Sequence, residues 1–440
     1  MALNSYLVRS SITGALGGLL FGFDTAVIAG TTRALTDQFD LTPLQLGFTV
    51  SIALWGTVAG AVSAGEIGNR LGPRSTLRWL AVLYVVSAAG CALAWNWPAF
   101  LLARFIGGLA IGGSSVLGPV YVAELAPAAY RGRLVGLFQI NIVAGILLAY
   151  FSNLMVSSLH LGTAEWRWEF GVSAFPAVLF FLMLLSIPHS PRWLVTQNQL
   201  DEALHTVERL GHPDPRHELN DIVASLRSET TAHREPLFKR AYLYPILLAA
   251  TLAAFNQLSG INAVLYYLND IFASAGFSGV SGGVQTVIVG AVNFTSTFVA
   301  MALIDRLGRK TLLLTGCIGM TITLSGIAAI FLSGRWRSAL IFLLAAYIAS
   351  FAISSGAVIW VYMSEIFPNA VRVKGQALGS TTLWVMNGVI SQVFPWMAAK
   401  SSSLPFVIFG AAMALQFVVT LIFFPETKGF SLEELEARFR

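Results

Sequence analysis

Uninterrupted apolar runs of about twenty residues recur along this chain and constrain its fold more than any other feature. They fall at roughly 10–33, 44–66, 77–96, 98–122, 134–157 and 168–187, and then, beyond a polar stretch, at roughly 241–268, 283–304, 311–332, 338–364, 375–398 and 404–424. A helix satisfies its own backbone hydrogen bonds, so a run of this length spans a bilayer core as a helix. Continuous runs, without period-two alternation, argue against a β-barrel. Composition agrees: 56% of the 440 residues are hydrophobic and 11% charged, where a soluble domain carries about 25% charged residues. The expected fold is an all-α membrane protein with twelve transmembrane helices. Residues 5–8 are too short for a signal-peptide core, and the apolar run that follows carries Asp24. Cys91 and Cys317 sit in separate apolar runs and offer neither a disulfide framework nor metal-ligand spacing.

The polar stretch divides the chain into 1–187, a linker at 188–240, a second half at 241–425 and a tail at 426–440. Within the linker, Asp201–Leu210 and Glu218–Ser228 have helical periodicity and are too small to bury a core. Basic residues set the orientation. Of 27 Lys and Arg, only Arg33, Arg167, Arg335, Arg337 and Lys400 fall on the side away from the linker, and Arg104 lies inside a span. Both termini and the linker are therefore expected in the cytoplasm, with the chain multi-pass in the cell (inner or plasma) membrane. The basic excess is a topology signal and needs no nucleic-acid partner.

The halves repeat one another. Arg70-Leu71-Gly72-Pro73-Arg74 recurs as Arg306-Leu307-Gly308-Arg309-Lys310, Glu124 and Arg131 as Glu365 and Arg372, and Pro188-His189-Ser190-Pro191 as Pro425-Glu426-Thr427-Lys428. The near-constant offset, 236 to 241 residues, implies two pseudo-symmetric six-helix halves. These signatures, together with Gln257-Leu258-Ser259-Gly260-Ile261-Asn262 and Tyr266-Tyr267 in the seventh span, resemble the sugar porters of the major facilitator superfamily over nearly the whole length. Four departures stand out. Asn256 replaces a first Gln, Leu383 precedes Trp384 where the human-type facilitators carry Asn, and His189 replaces a Glu. The run 356–359 lacks the prolines that commonly break the tenth span.

The resemblance implies a transporter, not an enzyme, importing a monosaccharide (a hexose or a pentose) with protons by alternating access. It implies no cofactor beyond the proton as coupling ion, and a monomer as the working unit. Sugar hydroxyls both donate and accept, which amides match, and aromatic rings cover the apolar sugar face. By resemblance, Gln139, Gln257, Asn262, Asn293 and Asn387 contact the sugar, with Trp360 and Trp384 beside it and Phe21, Ile142 and Tyr266 as further partners. The blander reading is interhelical bonding and packing. Asp24 and Arg104 are lone opposite charges in one half, which invites pairing. They read either as a structural ion pair or, because proton-coupled sugar porters carry an acid at this position, as the coupling site. Arg70, Arg74, Glu124, Arg131, Arg306, Arg309, Glu365 and Arg372 sit at cytoplasmic helix ends. They serve either as positive-inside anchors or as a latch in which carboxylates of one half meet guanidiniums of the other.

Three alternatives remain open. A passive facilitator would show flux without a pH response, a polyol transporter is separated by a substrate screen, and a non-transporting sensor would be expected to carry a long cytoplasmic tail. The chain has no phosphate loop, nucleophile elbow or metal-ligand cluster to favour hydrolase, kinase or oxidoreductase chemistry.

Overall fold

The computed structural model describes residues 4–127, 130–212, 214–232, 236–368 and 371–428, and among these there is no strand. The spanning helices are α1 (Ser5–Phe39), α2 (Pro43–Leu71), α3 (Pro73–Ala92), α4 (Trp97–Leu125), α5 (Arg131–Ser158), α6 (Gly162–Leu184), α7 (Arg240–Tyr266), α8 (Gly279–Leu307), α9 (Arg309–Ser333), α10 (Arg337–Glu365), α11 (Arg372–Lys400) and α12 (Leu404–Phe423). Eleven are long and apolar enough to cross a membrane by composition alone. The remaining one, α11, is equally long and carries the polar positions Asn387, Ser391 and Gln392. The linker forms three short helices, Pro191–Thr196, Leu200–Arg209 and Pro215–Ala232. The first of these escaped the periodicity reading because it is barely one and a half turns. It starts on an N-cap in which Ser190 Oγ accepts the Trp193 N–H. The tail from residue 429 lies outside the described residues.

The chain forms two compact units. One comprises 1–27, 52–152 and 164–234, the other 28–51, 153–163 and 235–440. The outer parts of α1, α2 and α5 thus belong to the second unit. Small residues hold the first unit together. Gly18 and Gly22 of α1 lie against the carbonyls of Phe138 and Ile142 on α5, and Gly145 of α5 lies against that of Leu19. Gly56 and Gly60 of α2 interlock in the same way with Gly108 and Gly112 of α4. Lipid supplies no hydrophobic drive between helices, so close backbone approach at such small-xxx-small seams provides the packing instead.

Two helices of the second unit are irregular. Helix α7 breaks at Gly260 (φ +80°), where a Cβ would run into the Phe409 ring, and resumes at Ile261. Helix α10 contains a π-helical turn at Ala352–Gly356. Prolines commonly supply a break in this span, and here a register change in the backbone ladder supplies one instead. Gly316 of α9 makes room for it, since a Cβ there would collide with Ser354 Oγ.

Candidate functional site

In the first unit Asp24 and Arg104 are in contact. Arg104 Nη1 donates to Asp24 Oδ2 at 2.8 Å and to the Asp24 carbonyl at 3.3 Å. The side chains are 7% and 2% exposed. Gly107, one turn along α4 from Arg104, leaves space for the carboxylate, because a Cβ there would press on Ser87 Oγ and come within 3.6 Å of Asp24 Oδ2. The guanidinium carbon stands 5.4 Å from the Phe170 ring centroid, a cation–π placement. A buried charge whose partner is removed costs several kcal/mol, so the pair is a coupled unit: neutralising either member destabilises the other. Phe21, Gln139 and Ile142 are half-buried along the same α1–α5 seam.

In the second unit the broken helix assembles a cluster of amides. Asn262 Nδ2 donates to Gln257 Oε1 at 2.9 Å, Gln257 Nε2 to Asn256 Oδ1 at 2.9 Å, and Asn256 Nδ2 to the Ser355 carbonyl of α10 at 3.1 Å. A second group joins the far limb of α7 to α11. Asn387 Nδ2 donates to the Tyr266 hydroxyl at 3.3 Å and Ser391 Oγ to Asn387 Oδ1 at 3.1 Å. The Tyr267 hydroxyl donates to the Ser391 carbonyl at 3.1 Å, with its ring stacked on Phe394. Asn293 of α8 and Trp384 of α11 are buried, whereas Trp360 of α10 is 44% exposed.

The charges at the helix ends on the side of the termini divide by unit. Both Glu365 oxygens are bonded within the second unit. Arg309 reaches them with Nη2 at 2.8 Å and Nε at 3.2 Å, and Thr427 donates its hydroxyl at 2.6 Å. Arg309 Nη1 also donates to the Ile304 carbonyl. The Arg306 carbonyl accepts Lys428 Nζ at 2.6 Å, and Arg372 Nε donates to the Phe367 carbonyl at 3.2 Å. In the first unit Arg70 is exposed and pairs with Glu66 at 2.7 Å, one turn away. Arg74 contacts the Leu185 carbonyl at 3.5 Å, Glu124 is half-buried, and Arg131 is exposed. The carboxylate–guanidinium contact that the sequence suggested between halves is thus made, for Glu365, by a guanidinium of its own half.

Several features went unseen in the sequence. Arg33 Nε meets Asp270 Oδ1 at 3.3 Å, joining the end of α1 to the segment just after α7. Burial pushes the Asp270 carboxyl above its ordinary range, and hydrogen bonding to Thr32 and the charge of Arg33 hold part of that back. Glu169 of α6 is 2% exposed and had no assigned role. Asn256 stands out in the sequence only as a departure from the family pattern, and its bonds show that it links two helices. The one available sequence signal was Arg33 itself, a basic residue on the side where few occur.

These features can be set beside known proteins. The model of the sugar (and other) transporter family matches residues 10–439. The arabinose-proton symporter of Bacillus subtilis is 37% identical, covering 98% of this chain and 94% of that protein. A glucose transport protein of Synechocystis is 35% identical, covering 98% and 97%. The inward-open structure of the xylose transporter XylE from E. coli superposes with a TM-score of 0.89 at 34% identity, covering 99% of this chain and all of that one. With a family match along nearly its full length and a shared twelve-helix fold, the chain belongs to the sugar transporter family and is a multi-pass membrane transporter, not an enzyme.

Proposed function

We propose that the protein is a proton–monosaccharide symporter working by alternating access, with Asp24 carrying the proton and both termini in the cytoplasm. The observation that carries this reading is the buried Asp24–Arg104 contact at 2.8 Å. An acid held against one guanidinium, away from water, has a charge state tied to that contact. The anion is stabilised by Arg104, and the neutral acid needs no partner. Separating the pair favours proton uptake and closing it favours release, so any movement that changes the distance becomes a pump stroke. Arabinose, glucose and xylose relatives support a monosaccharide as the cargo. The amides of α7 and α11 match its hydroxyls as donors and acceptors, and buried Trp384 offers an apolar face. Orientation rests on the uneven distribution of Lys and Arg.

The test uses the purified protein in liposomes, with a panel of labelled hexoses, pentoses and polyols and an imposed proton gradient. Wild type is expected to accumulate at least one monosaccharide only when the gradient is present. Asp24→Asn is expected to lose accumulation yet keep counterflow, because a permanently neutral side chain mimics the loaded state. Full accumulation by Asp24→Asn refutes the coupling role, and loss of both activities reduces the pair to a structural one. Gradient-independent flux in wild type would make the protein a facilitator.

A further inference from the structure

The three amides at the break of α7 form a chain with a direction. Each donates to the next: Asn262 to Gln257, Gln257 to Asn256, Asn256 to the Ser355 carbonyl. An amide side chain can ordinarily turn over, exchanging its oxygen for its nitrogen, and within a ring of amides nothing prefers one sense. This chain does not close on itself. It ends on a backbone carbonyl, which can only accept. Asn256 must therefore present Nδ2 to Ser355, which turns Oδ1 toward Gln257. Gln257 must then present Nε2 to Asn256, which turns Oε1 toward Asn262. The sense of all three amides is set by one oxygen, and that oxygen lies in the π turn of α10. Asn256 and Gln257 are each 3% exposed and Ser355 is fully buried, so water competes little for these bonds.

We propose that Asn256 is a positioning residue: it fixes which way the Gln257 and Asn262 amides face, and through them which sugar hydroxyls must donate and which must accept. This rests on the sugar-binding reading above and gives Asn256 a role that acts through Gln257 and Asn262. Specificity among sugars that differ at one hydroxyl then depends on the π turn, because the turn supplies the oxygen that sets the sense. Without Asn256 the Gln257 amide turns freely and accepts either pattern of hydroxyls.

The test is equilibrium binding, on the full-length purified protein, of a transported monosaccharide and its set of single-position deoxy and epimeric analogues. Wild type, Asn256→Leu, Asn256→Gln and Gln257→Ala are compared. Asn256→Leu is expected to weaken the parent sugar about fivefold and to flatten the ranking of the analogues, since one ordered bond is worth roughly 1 kcal/mol. Asn256→Gln, which can still donate at one end and accept at the other, is expected to restore the wild-type ranking. A merely structural role would lower the amount of folded protein without changing the ranking. Should Asn256→Leu fail to fold, Asn256→Asp, nearly isosteric, serves in its place. As a carboxylate it cannot donate to Ser355, and it too is expected to change the ranking. If the ranking and affinity of the Asn256 variants match wild type while Gln257→Ala loses the sugar, the proposal is overturned and the sugar-binding reading stands. If Gln257→Ala also binds like wild type, that reading falls and the proposal falls with it.

Discussion

The repeated turn before α3 and before α9 has one backbone and two closures. Gly72 and Gly308 both adopt a conformation almost reserved for glycine, with φ and ψ of 83° and 146° in the first and 89° and 160° in the second. Each turn is capped by a segment further along the chain, through bonds that span 117 residues at Gly308 and 124 at Gly72. At Gly308 the cap is ionic. Glu426 accepts the N–H groups of Arg309 at 2.8 Å and Lys310 at 3.0 Å, and folds back to accept those of Thr427 and Lys428. These are the unpartnered donors of a helix start, where negative charge is favoured. At Gly72 the cap is aromatic. The Trp193 ring lies 2.9 Å from where a Cβ would stand, its indole N–H donates to the Asn69 carbonyl, and His189 stacks on it at 5.0 Å. Pro73 opens α3 in the place that Arg309 holds in α9, and proline has no N–H to satisfy. A carboxylate is useful where the helix start offers donors. Once proline removes one, a stacked imidazole and indole close the turn, which gives His189 a physical reason to stand where a Glu is usual.

This contrast can be broken in three places. The largest effect is expected at the glycines. Gly72→Ala and Gly308→Ala should each cost about 3 kcal/mol, combining backbone strain with displacement of the cap. Thermal unfolding in detergent checks this, and a much smaller cost at either position would mean that the turns are not equivalent. Next, Glu426→Ala should cost about 2 kcal/mol, because several backbone N–H groups lose a charged acceptor together. His189→Ala should cost less than half as much, and equal losses would erase the ionic–aromatic distinction. The smallest effect is in pH. Burial and then Arg74 hold His189 below its ordinary value, so the unfolded chain takes up the proton first and stability falls as pH drops below about 6.5. Burial pushes Glu426 up, but the backbone N–H groups outweigh it and hold the carboxyl low. Its contribution is therefore complete above about pH 4.3 and fades only in stronger acid. His189→Gln should flatten the step near neutrality, a change below about 0.5 kcal/mol, and leave the acid limb unchanged. A flattened acid limb instead would assign the titration to the wrong turn.

The sequence made the architecture plain because spanning a bilayer requires long apolar runs, and such runs are visible one residue at a time. Asp24 and Arg104 were legible for a related reason: two opposite charges alone in one apolar half have little choice of partner. The partner of Glu365 was not legible, since Arg131, Arg306, Arg309 and Arg372 all stand at comparable helix ends and only packing selects Arg309. The π turn has no compositional mark. The run 356–359 lacks the prolines that commonly break this span, and nothing in the sequence shows that backbone register makes an irregular turn at Ala352–Gly356 instead. The direction of the amide chain was likewise hidden, because it depends on a carbonyl of another helix and not on any side chain. The small-residue seams were present in the text as Gly18 and Gly22, Gly56 and Gly60, and Gly108 and Gly112.

Those seams have a mechanical consequence for the first unit. Where a glycine Cα rests on a neighbouring carbonyl, no side chain lies between the helices to change rotamer and absorb a displacement. Helix α1 meets α5 in this way at Gly18, Gly22 and Gly145, so the two helices should translate as one stiff lever. Asp24 sits two residues beyond Gly22, and Gln139 and Ile142 ride on the opposite blade of that lever. A change of charge at the carboxylate then cannot be dissipated by local repacking along the seam. Any displacement of α1 that follows is expected to carry Gln139 and Ile142 along.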